Sequence, residues 1–288
     1  MGGYAVRGGS RSLHSAPKAG GGAGSVWRYV QGVSGGWFRL TVQGGGSIFA
    51  PPNPQNGGPL NEPVRVAVLA SGGGSNLQAL IDRFRGEAPP VRVELVVASR
   101  AGIGALERAQ RAGITGIVVD PREYGDGHAA RLLAALEEHR IGLVVLAGYL
   151  SLVPAEVVER FRGRMLNIHP ALLPAFGGRG MYGMRVHRAV IESGVRVSGA
   201  TVHRVDDRYD EGEIVAQWPV PVLPGDTPET LAARVLAVEH RILPLAVEAV
   251  ALGETPHDTP GGPICFDLYA SPAPPEASVR ATLASILS

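Results

Sequence analysis

From Val64 to Ala251, short apolar runs alternate with segments of helical periodicity, and nothing else in the chain restricts its fold so tightly. That alternation is the pattern of a parallel α/β sheet. Strands are expected at Val64–Ala70, Val91–Ala98, Ile114–Val119, Ile141–Ala147, Met165–His169, Gly199–Val205 and Glu213–Val220. Helices are expected at Asn76–Arg85, Ile103–Ala112, His128–His139, Pro154–Phe161 and Val186–Glu192, with a last long helix over Pro228–Ala251 that Pro244 can interrupt.

The flanks have a different texture. Residues 1–62 hold 16 of the 40 glycines and a single acid, Glu62. Such a segment buries too little apolar surface to offset its ordering entropy and is expected to be a disordered extension. The exception is an apolar group, Val26, Trp27, Tyr29, Trp37, Phe38 and Leu40, able to form a hairpin-like patch. Arg7, Arg11 and Lys18 without acids resemble a transit peptide, but the glycine content and the missing amphipathic repeat oppose one. Residues 63–252 are read as the catalytic domain, and 253–288 as a proline-rich tail with a short terminal helix.

Charge and rare residues exclude several functions. A net charge of +1 offers no field for nucleic acid or an anionic membrane, and no run approaches the apolar length that spans a bilayer. A cytoplasmic protein is expected. Cys265 is the only cysteine, which removes an internal disulfide, a multi-cysteine zinc site and a CxxC redox motif. Lys18 is the only lysine, so beyond it there is neither a Schiff-base lysine nor a P-loop lysine.

Three motifs carry chemistry. Ser71-Gly72-Gly73-Gly74-Ser75-Asn76-Leu77-Gln78 lies between the first strand and the first helix, where small residues and a helix N-terminus suit a phosphate. A strict dinucleotide fingerprint fits less well, because Leu77 stands at the third-glycine position and Ser99-Arg100 replaces the acid after the second strand. The plain alternative is a tight turn with Ser75 or Asn76 as N-cap. In the second motif, Asn167 and His169 sit two apart in an apolar strand that Pro170 ends, so both side chains point one way at a strand terminus. An amide and a protonated imidazole there can stabilise an oxyanion formed from a carbonyl. The third, Asp206-Asp207-Arg208-Tyr209-Asp210-Glu211-Gly212, is by default a solvated turn and lacks EF-hand spacing. If it meets His169, one of its carboxylates can hold that imidazole charged. His187 and His203 can line the same cleft, but neither forms HExxH or another metal pair, so structural roles are favoured for both, and Glu239-His240 would ordinarily be an exposed pair.

Taken in order, SGGGSNLQALID, the strand ending in AGYLSLV, LNIHPALLPAF, SGATVHRVDDRYDEGEIVAQ and VEHRILP resemble the phosphoribosylglycinamide formyltransferase family over about residues 64–250. The resemblance implies a Rossmann-like, mostly parallel twisted sheet flanked by helices, and formyl transfer from 10-formyltetrahydrofolate to the amine of glycinamide ribonucleotide, without a metal. It makes Asn167, His169 and Asp210 the catalytic set, and assigns Gly74, Ser75, Asn76 and Glu239 to the ribonucleotide. Tyr149, Leu150, Ser151, Leu152 and Val153, with Asn167, fall to the formyl folate; Ser151 departs from the arginine of some members. Residues 177–184 are longer than in some relatives and can form a flap. Asp210 is expected to raise the His169 pKa, so that the histidine works charged. The implied partners are these small molecules, with no nucleic acid and no membrane, in a monomer or homodimer. A formyltetrahydrofolate deformylase shares this catalytic domain and is the alternative; it would need a folded regulatory domain before the catalytic one. A methionyl-tRNA formyltransferase is opposed by the balanced charge.

Overall fold

The computed structural model describes residues 62–86 and 88–253, together with strands at 28–31, 37–40 and 264–265. The chain divides into two units, Met1–Ala50 and Pro51–Ser288. In the first, β1 (Arg28–Gln31) and β2 (Trp37–Leu40) pair antiparallel. The disorder expected over the rest of 1–62, and the helix expected near the end of the tail, lie outside the described residues.

In the second unit, β3 (Val64–Ala70) pairs in parallel with β4 (Val91–Ala98) and with β6 (Leu143–Leu146). Two further parallel pairings extend the sheet, β4 with β5 (Thr115–Val118) and β6 with β7 (Met165–His169). Beyond β7 the direction reverses: β8 (Val197–Arg204) is antiparallel to β7, and β9 (Ile214–Pro221) is antiparallel to β8. The two-residue β10 (Ile264–Cys265) runs parallel to β9 and closes the order β10-β9-β8-β7-β6-β3-β4-β5.

Helices cover both faces: α1 (Ser75–Arg83), α2 (Gly104–Arg111), α3 (Pro121–Tyr124), α4 (His128–Glu138), α5 (Ala155–Arg160), α6 (Met184–Ser193) and α7 (Pro228–Ala251). Period-2 alternation sorts the strands between two cores. Val66, Val68 and Ala70 of β3 pack with Leu77 and Leu80 of α1, Val186 of α6, and Leu231 and Ile242 of α7. On the opposite face, Ala67 and Leu69 meet Leu132 and Leu136 of α4 and Val157 of α5. Each fully buried leucine contributes roughly 1.5–3 kcal/mol.

The expected elements are present with ends shifted by a residue or two, as fraying termini allow. The short α3, capped by the Asp120 carboxylate accepting from the Arg122 N–H, was not anticipated. Nor does Pro244 break α7, within which it is buried, and the helix is started by a reciprocal Thr227/Thr230 capping box with Pro228 in the first turn.

The order β5-β4-β3-β6-β7 reverses its direction of travel between β3 and β6, and open α/β sheets bind ligands in the crevice at such a point. The loops leaving β3 and β6 meet there: Ser71 N–H donates to the Gly148 carbonyl at 3.1 Å, and Leu150 N–H to Ser71 Oγ at 2.9 Å.

Candidate active site

The cradle at the start of α1 depends on one glycine. Gly74 has φ +73°, and a Cβ added there would stand 2.7 Å from the Ala105 Cα, so only glycine lets the loop pass α2. Gly74 is itself the N-cap and no side chain caps α1; Ser75 and Asn76, expected as alternative caps, stand inside the first turn. The first-turn N–H groups thus keep the partial positive charge of a helix N-terminus for an anion. Arg108 Nε holds the Gly73 carbonyl at 2.8 Å. Where a dinucleotide-binding strand would end in an acid, Ser99 Oγ instead donates to Ser71 Oγ at 2.7 Å and braces the loop.

Asn76 reaches from this cradle to α7. Its Nδ2 donates to Glu239 Oε2 at 2.7 Å, while its Oδ1 is buried without a hydrogen-bond partner. Glu239 is 7% exposed, so it is a floor residue of the cleft rather than part of the surface pair that local sequence suggests. Burial pushes its carboxyl above the ordinary value, against the hydrogen bond from Asn76.

At the end of β7, Asn167 and His169 both line the cleft, as the period-2 reading predicts, while Leu166 and Ile168 point into the core beneath α7. The acidic loop after β8 meets them, and Asp210 is the carboxylate that arrives. Its Oδ2 lies 3.5 Å from His169 Nδ1 and its Oδ1 3.5 Å from His203 Nε2. Asp210 has φ +56°, a left-handed conformation uncommon outside glycine, and Gly178 N–H donates to Oδ2 at 2.9 Å. Burial would raise the Asp210 carboxyl, but the Gly178 N–H and the charge that the two imidazoles carry when protonated outweigh it and hold it below the usual carboxylate value. It is the ionised partner of the site.

His169 corrects an expectation. Burial dominates and pulls it below the ordinary imidazole value, although Asp210 and the Phe176 carbonyl pull the other way, so Asp210 does not hold the ring charged at rest. Its Nε2 lies 2.9 Å from the Phe176 carbonyl, which can only accept, so Nε2 carries the proton. Nδ1 of the neutral ring is then a bare lone pair beside Asp210. A proton arriving at Nδ1 finds acceptors at both ends of the ring.

Tyr149, Leu150, Ser151, Leu152 and Val153 line the same cleft, about 370 Å³ in volume. Leu150 and Leu152 are 60% and 67% exposed there, whereas Val153 is buried in the second core and anchors the loop. Burial pushes the Tyr149 phenol up to about 12, so it stays protonated. The 177–184 segment is tied down at its base, since Phe176 and Gly178 bond the His169 and Asp210 side chains and Met181 packs on the first core.

Sequence reasoning missed the Phe176 carbonyl, the Gly178 N–H and His203. Main-chain groups leave no sequence signal, and the register that sets His203 opposite Asn167 across the sheet is not readable from spacing. His187, on α6, is buried and also lies below the ordinary imidazole value, through burial first and then the charge of His169. Among the described residues no helix is long and apolar enough to cross a membrane, and no group of three or more His, Cys, Asp or Glu side chains is placed to hold a metal.

Comparison with known proteins agrees with this geometry. Residues 64–247 match the formyl transferase family. The chain is 45% identical over 198 residues to the chloroplastic phosphoribosylglycinamide formyltransferase of Arabidopsis thaliana, covering 67% of this chain and 68% of that protein. It is 41% identical over 205 residues to the human trifunctional purine biosynthetic protein adenosine-3, covering 70% of this chain but only 20% of that larger protein. Among solved structures, glycinamide ribonucleotide transformylase 1 from Symbiobacterium toebii is 45% identical with a TM-score of 0.62, covering 67% of this chain and 90% of the other. The phosphoribosylglycinamide formyltransferase from Brucella melitensis is 41% identical with a TM-score of 0.61, covering 66% and 96%. A glycine-dependent anion cradle and an amide, imidazole and carboxylate gathered at one strand end thus coincide with a family match over most of the folded body, and the chain belongs to the formyl transferase family, among its phosphoribosylglycinamide formyltransferases.

Proposed function

We propose that this protein transfers the formyl group of 10-formyltetrahydrofolate to the amine of N1-(5-phosphoribosyl)glycinamide, a step of purine biosynthesis. The observation that carries the reading is Asp210 seated between His169 and His203, 3.5 Å from each, beside Asn167 at the mouth of β7. The phosphate sits on the N–H groups of the first turn of α1, at Gly74, Ser75 and Asn76. Asn76 and Glu239 face the glycinamide and ribose; the unpartnered Asn76 Oδ1 is an acceptor awaiting a ligand N–H or O–H. The formyl folate lies along Tyr149, Leu150, Ser151, Leu152 and Val153, with the formyl carbon next to Asn167.

The neutral amine attacks the formyl carbon, a C–N bond forms, and the carbonyl π pair moves to oxygen. Asn167 donates an amide N–H to that oxyanion. The proton lost by the amine passes to the bare Nδ1 of His169, directly or through water, and the resulting imidazolium lies between Asp210 and the Phe176 carbonyl. Charged only at this stage, His169 stabilises the oxyanion and then protonates the departing folate nitrogen as its bond to the formyl carbon breaks. The proton balance closes without a bulk base.

The reading includes a monomer or homodimer and a cytoplasmic location. Its test is an assay of the purified protein with 10-formyltetrahydrofolate, with and without the ribonucleotide. Formylated ribonucleotide is expected only when both are present. Formate release at the same rate without the ribonucleotide would replace the transferase with a hydrolase.

A further inference from the structure

An amide has two opposed ends, and Asn167 assists an oxyanion only if its NH2 end faces the cleft. The structure contains a device that fixes the choice. Across the antiparallel β7/β8 pair, Asn167 is the register partner of His203, whose ring is almost fully buried, with 3% of its side chain exposed. His203 Nδ1 lies 2.8 Å from the carbonyl of Arg204. A backbone carbonyl can only accept, so Nδ1 carries the ring proton. In the neutral ring Nε2 is then an acceptor, and 3.0 Å away stands Asn167 Nδ2. Asp210 Oδ1, at 3.5 Å, is beyond a good hydrogen bond to the same nitrogen.

We propose that His203 is a positioning residue: pinned by the Arg204 carbonyl in its Nδ1–H form, it accepts one N–H of Asn167 and so presents the second N–H of that amide to the formyl oxygen. The inference rests on the formyl-transfer reading of Asn167. A reversed amide would set its own carbonyl oxygen against the bare Nε2 and against the oxyanion at once. Without His203 the amide is free to turn, and the oxyanion loses a preorganised donor, an effect worth about 10²–10³ in kcat. Because the ribonucleotide contacts lie at the other end of the cleft, KM should move little.

The experiment compares His203→Gln, His203→Asn and His203→Leu with Asn167→Ala and the double variant Asn167→Ala/His203→Leu, each checked for its melting temperature. The Gln carbonyl can reach the Nε2 position and accept from Asn167, and should retain most of kcat. The shorter Asn copies only the Nδ1 side and should lose about as much as Leu, roughly 10²-fold, with KM for the ribonucleotide unchanged. Two groups that act as a unit are not additive, so the double variant should be no slower than Asn167→Ala alone. Equal activity of the Gln and Asn variants, additive losses, or a loss confined to KM would overturn the proposal. If Asn167→Ala itself turns over normally, the reading of the site fails; if it fails to turn over but His203→Leu does not, only this inference fails. Nitrogen-15 NMR of labelled histidine in the unsubstituted protein gives a readout independent of folding in the variants: Nδ1 protonated and Nε2 bare is expected, and a proton on Nε2 overturns it.

Discussion

Asn76 and Glu239 are 163 residues apart in sequence and share a 2.7 Å hydrogen bond in the floor of the cleft, joining the first helix to the last. The bond satisfies one carboxylate oxygen of a side chain that is otherwise buried, and burial still pushes that carboxyl upward. Its sign is the reverse of an ordinary salt-bridged acid. The folded state binds the proton more tightly than the unfolded chain, so stability is lost as pH rises from about 4.5 through the folded value.

Glu239→Gln keeps the acceptor for Asn76 and removes the buried charge. The variant should melt higher than the parent near pH 8 by a few degrees, ~1 kcal/mol being worth roughly 2–4 °C at this domain size. It should also lose the fall in stability on the alkaline side of pH 4.5, and bind the ribonucleotide more weakly. Calorimetric melts across pH, with a binding titration, check this; a lower melting temperature at pH 8 contradicts it.

Asp210→Asn should lower turnover by about 10²–10⁴-fold while ribonucleotide affinity changes only slightly, since the carboxylate faces the two imidazoles and not the cradle. Removing the charge that most opposes the burial of His169 also moves that histidine further down. Any acid limb of the residual activity that reports His169 should therefore shift to lower pH. Steady-state rates against pH, with calorimetric binding, separate these effects, and near-normal turnover would remove Asp210 from the mechanism.

Gly74→Ala puts a Cβ 2.7 Å from the Ala105 backbone at a residue with φ +73°. Strain of this kind costs about 1–3 kcal/mol, and the loop and α2 must separate to relieve it. Ribonucleotide affinity should fall by at least tenfold while folate binding, on the β6 side of the cleft, is spared. Separate titrations of the two ligands provide the check; equal loss of both would place the cradle elsewhere.

His128, His169, His187 and His240 all lie below the ordinary imidazole value, each chiefly through burial. The unfolded chain protonates first, near 6.5, so these four withdraw stability as pH falls from that value toward their folded ones. The denaturant midpoint should decline between pH 7 and pH 5. His128→Gln, on α4 and outside the residues that line the cleft, should flatten part of that decline without lowering turnover at pH 7.5.

Apolar periodicity made the sheet legible, because in strands such as Val64–Ala70 and Val91–Ala98 the charged residues Arg65, Arg92 and Glu94 fall in the first half and the second half is a continuous buried apolar run. Asn167 and His169 were legible for the converse reason, as polar groups in an apolar strand. Glu239 was legible only through the family resemblance, since its neighbours on α7 give no hint that the helix turns this position onto Asn76. The acid beside His169, which pulls its pKa up, was visible in the motif, but the depth of its burial, which outweighs that pull in the resting ring, was not. His203 looked structural because its role depends on strand register, which pairs residues 36 apart.

The reversal of strand direction at β7 has a temporal consequence. Asn167 arrives with the parallel half of the sheet, whereas His203 and Asp210 arrive only when β8 has docked against it. A refolding chain can therefore recover much of its helix and parallel-sheet signal before it is competent. Turnover needs the parallel and the antiparallel pairing of β7 at once, so its regain should come no earlier than the return of the helix and sheet signals.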